Sequence, residues 1–488
     1  PMFAGSNQSA MNDPISGVFQ MADRHEVRQV DLKFCGLLGR WRHVTLPASR
    51  LDQEIFRQGV AFDGSSVPGF ARSESSDMLI LPDPSTCFMD PFWDQPTLSM
   101  ICQIFDGRSG QPVSRDPRGV AARAERYLAD TGLATHAMMA PEFEYYLFDS
   151  IRHQCDINYS FYNIDTVEGA WNTGSDREAT DLPVLGMPIH GGYHALPPND
   201  RLYNLRSEMV SHIEGAGIPV KYHHHEGGGP GQCEIEIMAA PLLTAGDRAM
   251  LIKYMIRLTA DRAGKVATFM PKPLYNAAGS GMHVHQQLFK GEEPVFWDEK
   301  GYAGLSDTAL HYIGGLLEHG PALLALASAS TNSYKRLVSG FEAPVQLIFG
   351  RANRTAAVRI PDEARTPLTK RFEFRPPDAT GNIYLTLAAM LMAGLDGIRR
   401  KIDPRQEGFG PFDMPLAHVP EAERNRIRTL PLQLMTALDA LEQDQAFLLE
   451  GGVFDGALLR TWIELKRKEV LDVRSRPHPR EMGLYLDV

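Results

Sequence analysis

Pro141-Glu142-Phe143-Glu144-Tyr145-Tyr146-Leu147-Phe148 sets charge and bulk at alternate positions. A β-strand sends successive side chains to opposite faces, so Glu142 and Glu144 share one face while Phe143 and Tyr145 share the other. The same alternation recurs in Gln232-Cys233-Glu234-Ile235-Glu236-Ile237, in Gly281-Met282-His283-Val284-His285-Gln286-Gln287 and in Lys370-Arg371-Phe372-Glu373-Phe374-Arg375. Glu234 with Glu236, His283 with His285, and Arg371 with Glu373 and Arg375 each oppose an apolar row. A polar row on a single strand is ordinarily a solvated face. Here Glu, His and Arg repeatedly stand where Lys, Ser or Thr would serve a wet surface. Carboxylates at this density repel one another unless cations lie between them. An oxygen-rich set with one or two imidazoles favours Mg²⁺ or Mn²⁺ over zinc, whose sites prefer Cys and His.

Outward from these strands the chain divides in two. Val27 to Thr45 holds strand-like runs around Gly36 and Gly39 and reads as a hairpin. Phe62 to Phe70 is a turn-rich loop, and Met78 to Asp106 gives further strand-like segments broken by Pro82, Pro84 and Pro91. Residues 25–110 thus form a small β-rich domain behind an N-terminal tail of residues 1–24, and Asp106 to Asp116 is the linker. Residues 111–488 form the large domain. Val120 to Thr131 is helical, with Arg123, Glu125 and Arg126 at exposed positions, and strand patterns then alternate with helical ones. Leu385 to Leu395 fits a buried helix. The fold class is α+β.

The bulk numbers exclude several functions. The chain has 488 residues, 43% of them hydrophobic and 22% charged, with a net charge of -11. That balance lacks the basic face of a nucleic-acid binder. Five cysteines without CxxC spacing read as reduced thiols, hence a cytoplasmic setting. No run reaches the roughly 18 apolar residues of a membrane span, and no secretory signal is read at the N-terminus.

Other signals are weaker. Of His223, His224 and His225, adjacent side chains on a strand alternate, so one or two reach a site at most. Gly227-Gly-Gly-Pro-Gly231 is not a phosphate-binding P-loop and reads as a turn. Arg336, Arg351, Arg354, Arg359, Arg371 and Arg375 cluster among apolar segments, which argues that some lie inside. Arginine forks match carboxylate and phosphate oxygens. Divalent cations with arginines are what transfer of a nucleotide phosphoryl group requires.

At this point the motifs resemble the glutamine synthetase family, class I of the bacterial type. The resemblance rests on FDGSS (Phe62–Ser66), PEFEYYLFD (Pro141–Asp149), GGYxxxPP (Gly191–Pro198), His224-His225-Glu226 followed by Gly231-Gln232-Cys233-Glu234, and GSGMHVHQ (Gly279–Gln286). It continues through TNSYKRLVSGFEAP (Thr331–Pro344), ANRTAAVRIP (Ala352–Pro361), RFEFRPPD (Arg371–Asp378) and RPHPREMGLYLDV (Arg476–Val488), all in order. It implies a β-grasp-like N-terminal domain and a catalytic domain with a curved antiparallel sheet and peripheral helices.

For the site, the resemblance implies at least two divalent cations, Mg²⁺ or Mn²⁺. Glu144, Glu226 and Glu234 would hold the one nearest glutamate and ammonia. Glu142, His283 and Glu373 would hold the one on the ATP phosphates. Arg336, Arg375, Gly279, Glu144 and Glu342 would meet glutamate, and His285, Arg354, Arg359 and Arg371 would meet ATP. Asp63, Ser66, Tyr193, Glu226 and Glu342 would bind ammonium, and Asp63, Glu342, Arg354 and Arg375 would be catalytic. The implied reaction ligates ammonia to the γ-carboxylate of glutamate through γ-glutamyl phosphate. The implied assembly is a homododecamer of two stacked hexamers, locked by the C-terminal segment, with sites between neighbours. Ala278 stands where the family has asparagine in the glutamate loop, and Ser339 where proline is usual in the flap. Phe412 replaces the tyrosine that some bacteria adenylylate, so control by that route is not expected. The rival readings are a γ-glutamyl-amine ligase, which should alter the ammonium pocket, and a non-catalytic relative, which should lack the metal ligands.

Overall fold

A computed structural model describes residues 13–70, 76–171, 186–338, 340, 343–414 and 416–486. The chain forms two compact units, residues 1–36 with 41–116, and residues 37–40 with 117–488.

The first unit contains α1 (Pro14–Arg24), β1 (Gln29–Cys35), β2 (Trp41–Pro47), α2 (Ile55–Gln58), β3 (Val60–Asp63), β4 (Asp77–Pro82), β5 (Phe88–Asp90) and β6 (Thr97–Asp106). Its sheet runs β2-β1-β6-β4-β3, with β5 also on β6. The expected hairpin is β1–β2, and β1 pairs in parallel with β6 at the centre. One expectation fails. Residues 1–24 read as a tail, yet Pro14–Arg24 is a helix. Asp13 accepts from the Ile15 amide at its start and Pro14 occupies the first turn, where no amide donor is needed. Ile15, Val18, Phe19 and Ala22 recur at helical spacing and pack on the core of Val30, Leu32, Leu98 and Met100.

The second unit begins with α3 (Pro117–Asp130), β7 (His136–Phe148), β8 (Ser150–Cys155), β9 (Ser160–Asp165), α4 (Tyr203–Gly215), β10 (Val220–His225), β11 (Gln232–Ile237), β12 (Ala240–Pro241) and α5 (Leu242–Arg262). It continues with β13 (Val266–Thr268), β14 (Val284–Lys290), β15 (Glu293–Pro294), α6 (Asp307–Glu318), α7 (Gly320–Ala327), α8 (Ser333–Arg336), β16 (Gln346–Arg351), β17 (Ala356–Ile360), β18 (Phe372–Phe374) and α9 (Ile383–Arg400). It ends with α10 (Glu421–Arg424), α11 (Leu434–Gln443), α12 (Ala446–Leu449), α13 (Gly456–Arg474) and α14 (Pro479–Tyr485). The main sheet runs β10-β11-β7-β14-β18-β17-β16. Every neighbouring pair along it is antiparallel except β16–β17, which is parallel.

The apolar rows of the four motif strands point to one side. Phe143, Tyr145, Ile235, Val284, Phe372 and Phe374 are fully buried there. Helix α5 packs on β7 from that side and α9 packs on α5, buried through Gly397, as its apolar run predicts. The charged rows are left on the other side. Glu125, expected to be exposed, is half-buried because its carboxylate accepts from the Leu243 amide at the start of α5. Loss of water around it pushes its carboxyl up from the usual range, against the Leu243 hydrogen bond. None of the five cysteines is in a disulfide, and among the described residues no helix is long and apolar enough to cross a membrane.

Candidate functional site

Strand register brings the charged rows together. Glu234 lies opposite Glu144, and Glu236 opposite Glu142, across the β11–β7 ladder. His285 lies opposite Glu373, and Arg359 opposite Glu373 from the other side. The result is a cavity of about 400 Å³ lined by Glu142, Glu144, Glu226, Glu234, Glu236, His224, His283, His285, Glu373, Arg336, Arg354, Arg359, Arg371 and Arg375, with Tyr193, Ala278 and Gly279. Those expected site residues therefore meet. Asp63 and Ser66 belong to the first unit, where they meet each other. Glu342 and Ser339 lie outside the described residues.

Among the described residues three ligand-like clusters stand on the cavity floor, one of them Glu142 with Glu234 and Glu236. His224, Glu226 and Glu234 offer donor atoms within 4.8 Å of one another, as do Glu142, His285 and Glu373. His224 is the single imidazole of its triplet to reach the cavity, 3.4 Å from Glu226 and 3.6 Å from Glu234. His283 bonds Glu142 at 3.1 Å and stands 4.0 Å from Glu144. His285 donates to Glu142 at 2.6 Å and lies 3.3 Å from Glu373. Both imidazoles thus reach Glu142, and it is His285 whose donor atom groups with Glu142 and Glu373.

The charges are not balanced evenly. Burial pushes Glu234 well above the usual carboxylate range, reinforced by the charges of Glu142, Glu144 and Glu226. Glu226 is raised by burial and by Glu144, and its Oε2 is buried without a hydrogen-bond partner among the described residues. At the other end burial is outweighed. His285 and His283 hold Glu142 well below its ordinary value, and His285 and Arg375 bring Glu373 down to about 2. A carboxylate group with too few protein cations at one end is the donor set that hard divalent ions fit.

The arginines line the same cavity. Arg375 and Arg359 bond Glu373 at 2.5 and 3.3 Å, and each leaves its Nε buried with no hydrogen-bond partner among the described residues. Arg371 pairs with Glu363 at 2.9 Å and approaches His285 at 3.3 Å. Arg336 is buried, and among the described residues its guanidinium donates to the carbonyls of Pro376, Pro377 and Arg375. Arg354 is exposed at the rim. Asp63 is exposed, and hydrogen bonds from the Ser65 and Ser66 hydroxyls, each 2.7 Å, hold its carboxyl below the usual range.

The glycine loop is more than a turn. Gly231 adopts φ +89°, and a Cβ there would lie 2.6 Å from the Leu147 carbonyl, so the loop lies flat on β7. Gln232 accepts from the Gly228 amide at 2.5 Å and donates to the Gly279 carbonyl at 3.1 Å. Tyr146 donates to the Ala278 carbonyl at 2.8 Å. The loop at position 278 is thus held through its backbone, whichever side chain stands there. Tyr146, Gln232 and Glu168 were not foreseen. His224 had a readable signal, since it and Glu226 sit two apart on one extended face. Nothing local marks Glu168.

Known proteins decide what such a cavity belongs to. Residues 26–107 match the family model for the glutamine synthetase β-grasp domain, and residues 114–485 match the glutamine synthetase catalytic domain. The chain belongs to the glutamine synthetase family. Glutamine synthetases of Mycobacterium bovis and Aquifex aeolicus are 48% and 45% identical over 474 and 473 residues, each spanning 96% of this chain and 98% of the relative. The Plasmodium falciparum glutamine synthetase structure has the same fold, with a TM-score of 0.88 at 24% identity over 98% of this chain and 100% of the other. A GmaS–ADP complex superposes with a TM-score of 0.78 at 28% identity over 98% of this chain and all of that one. The chain is an enzyme of ATP-dependent glutamine synthesis.

Proposed function

We propose that the acidic cavity joins ammonia to the γ-carboxylate of L-glutamate through γ-glutamyl phosphate, with release of ADP and phosphate. The observation that carries this reading is the pairing of an electron-rich carboxylate floor with arginines whose forks are incompletely used, the Nε atoms of Arg359 and Arg375 being buried with no hydrogen-bond partner among the described residues. A buried guanidinium with a donor left unpaired recruits an anion.

In this reading Glu144, Glu226 and Glu234 would hold one divalent cation and Glu142, His283 and Glu373 the other; the neighbouring donors that group with them in the structure are His224 beside Glu226 and Glu234, and His285 beside Glu142 and Glu373. Bound Mg²⁺ or Mn²⁺ neutralises phosphate charge and polarises the reacting oxygens. Arg336 and the backbone at Gly279 bind glutamate, and Glu144 faces the same end. Arg354, Arg359 and Arg371 hold the ATP phosphates, with His285 against the nucleotide. A γ-carboxylate oxygen attacks the γ-phosphorus and the bond to ADP breaks, while Arg375 meets the phosphoryl group in transit. Hydroxide is a poor leaving group and phosphate a good one, which is the purpose of this step. Ammonium binds among Asp63, Ser66, Tyr193, Glu226 and Glu342. Asp63 takes its proton, since only NH₃ is nucleophilic. The nitrogen attacks the acyl carbon, phosphate leaves, and Glu342 excludes water and accepts the later proton.

The working form in this reading is a cytoplasmic homododecamer in which Asp63 and Ser66 complete a neighbour's site. The exposed apolar side chains of Met482, Leu484, Tyr485 and Leu486 at the C-terminus support a partner there. The test is phosphate release from ATP with glutamate and Mg²⁺, comparing ammonium with methylamine, ethanolamine and a polyamine, and repeated with Asp63→Ala. Ammonium dependence that collapses in the variant is expected. Preference for a larger amine would overturn the product while leaving the acyl-phosphate chemistry.

A further inference from the structure

Behind the cavity floor lies a buried carboxylate that the reaction does not use. Glu168 is 1% exposed. Its Oε2 accepts from His225 Nε2 at 2.9 Å and from the Gly231 amide at 2.8 Å, and its Oε1 accepts from the Arg201 amide at 2.9 Å. Those donors belong to the end of β10, the approach to β11 and the turn before α4. One carboxylate thus ties together segments far apart in sequence.

His225 carries the connection forward. Its Nδ1 lies 3.0 Å from the Glu226 carbonyl, so the ring spans from Glu168 to the backbone of a cavity residue. The His225 carbonyl accepts from the His194 amide at 3.0 Å. A Cβ at Gly192 would lie 2.4 Å from the Glu226 carbonyl and 2.6 Å from the His225 ring, so the 191–194 segment is seated directly on His225. Tyr193 then stacks on His194 at 4.3 Å, and His194 meets His224 at 4.4 Å. A rotation of His225 cannot leave Glu226 and Tyr193 in place.

We propose that Glu168, acting through His225, is a positioning residue for the ammonium end of the cavity, fixing Glu226 and Tyr193 together. The proposal rests on the glutamine synthesis reading for the identity of that end. Among the described residues, the nucleotide-side groups Glu373, Arg359 and Arg371 make no hydrogen bond to this network. Partners that orient a cation ligand from behind commonly change affinity by about 10- to 100-fold when removed. A nearby buried pair supplies a control. Asp200 and Arg206 bond each other at 2.9 and 2.6 Å and do not touch Glu226.

The experiment compares Glu168→Gln, His225→Gln and Asp200→Asn in the full-length protein. Mn²⁺ alone is titrated calorimetrically, and KM is measured separately for ammonium, glutamate and ATP. The expected result is an Mn²⁺ affinity and an ammonium KM each worse by about 10-fold or more in the first two variants, with the ATP KM within about twofold. Asp200→Asn should lower the melting temperature without moving either value. If Glu168→Gln folds too poorly, His225→Gln carries the test, because it leaves the Gly231 and Arg201 amides bonded to Glu168. Equal losses of kcat in Glu168→Gln and Asp200→Asn, with ammonium KM and Mn²⁺ affinity unchanged, would make Glu168 merely structural and overturn the proposal. If the wild type made no glutamine, the functional reading would fall, and the Mn²⁺ titrations would still decide whether Glu168 sets the Glu226 cluster.

Discussion

Replacing His319 with glutamine should destabilise the second unit in a pH-dependent way. His319 joins α6 to α7, with a side chain 5% exposed. Its Nε2 lies 2.8 Å from Asp396 on α9 and its Nδ1 lies 2.7 Å from Asp444 after α11. Both ring nitrogens face carboxylates, so both donate and the ring is an imidazolium. The ring also stacks on Phe447 at 4.0 Å. The buried bond to Asp396 is a charge-assisted one, worth about 1.5–3 kcal/mol. Asp444 is 42% exposed, which limits that contact to about 1 kcal/mol or less. Loss of His319 does not strand Asp396, because Arg399 and Arg400 still bond it at 2.5 and 3.1 Å. The cost therefore stays below the roughly 3–5 kcal/mol of a fully orphaned buried charge, at about 2–4 kcal/mol near pH 6.

The sign with pH follows from linkage. Burial alone would lower the His319 pKa, but Asp396 and Asp444 outweigh it and raise it above the ordinary value. A group whose folded pKa exceeds its unfolded value of about 6.5 stabilises fully below that pH. The stabilisation is lost as pH rises through the raised folded pKa. Urea unfolding of wild type and His319→Gln at pH 6 and pH 9 should show a large gap at the lower pH and a smaller one at the higher. A gap that is constant, or that widens toward pH 9, would refute the imidazolium bridge.

The remaining expectations concern the cavity and the core. Arg336→Ala should raise the glutamate KM by at least about 10-fold with little change in the ATP KM, since it removes a charged contact worth about 1.5–3 kcal/mol, as steady-state kinetics would record. Mn²⁺ binding should release protons and weaken as pH falls, because Glu234 holds its proton to unusually high pH; calorimetry in two buffers of different ionisation enthalpy would reveal it. Arg118→Met should cost about 3–5 kcal/mol in denaturant unfolding. It leaves Asp247, which Arg118 bonds at 2.9 and 2.8 Å, buried with a 2.7 Å hydrogen bond from Tyr384 as a surviving partner.

Alternation made the charged rows legible, because a strand has a period of two and a buried face tolerates no error in it. It could say that Glu234 and Glu236 share a side. It could not say that Glu234 faces Glu144 and Glu236 faces Glu142, since register depends on partners almost a hundred residues away. The helix at Pro14–Arg24 was missed because its polar residues resemble a tail; only packing on the first unit's core distinguishes the apolar positions. Glu125 was misplaced for a related reason. A helix surface that looks exposed in sequence is covered once α5 presents an unsatisfied amide to it. Glu168 was invisible, as a lone acid in a loop has no periodicity to betray it.

The same cavity explains why rigid strands carry the site. Glu142, Glu144, Glu226 and Glu234 repel one another, and a loop free to relax would spread them apart. Here Phe143, Tyr145, Cys233 and Ile235 are fully buried on the opposite side of the same strands. Separating the carboxylates would require pulling that apolar row out of the core, at roughly 1.5–3 kcal/mol for each large side chain exposed. Core packing thus holds the acids at close range and leaves cations as the cheaper way to relieve their repulsion. Glu226 is the exception, since it follows β10 and has no buried neighbour of its own row to hold it. It is the position that most needs a lock from behind, and it is the one to which Glu168 and His225 connect.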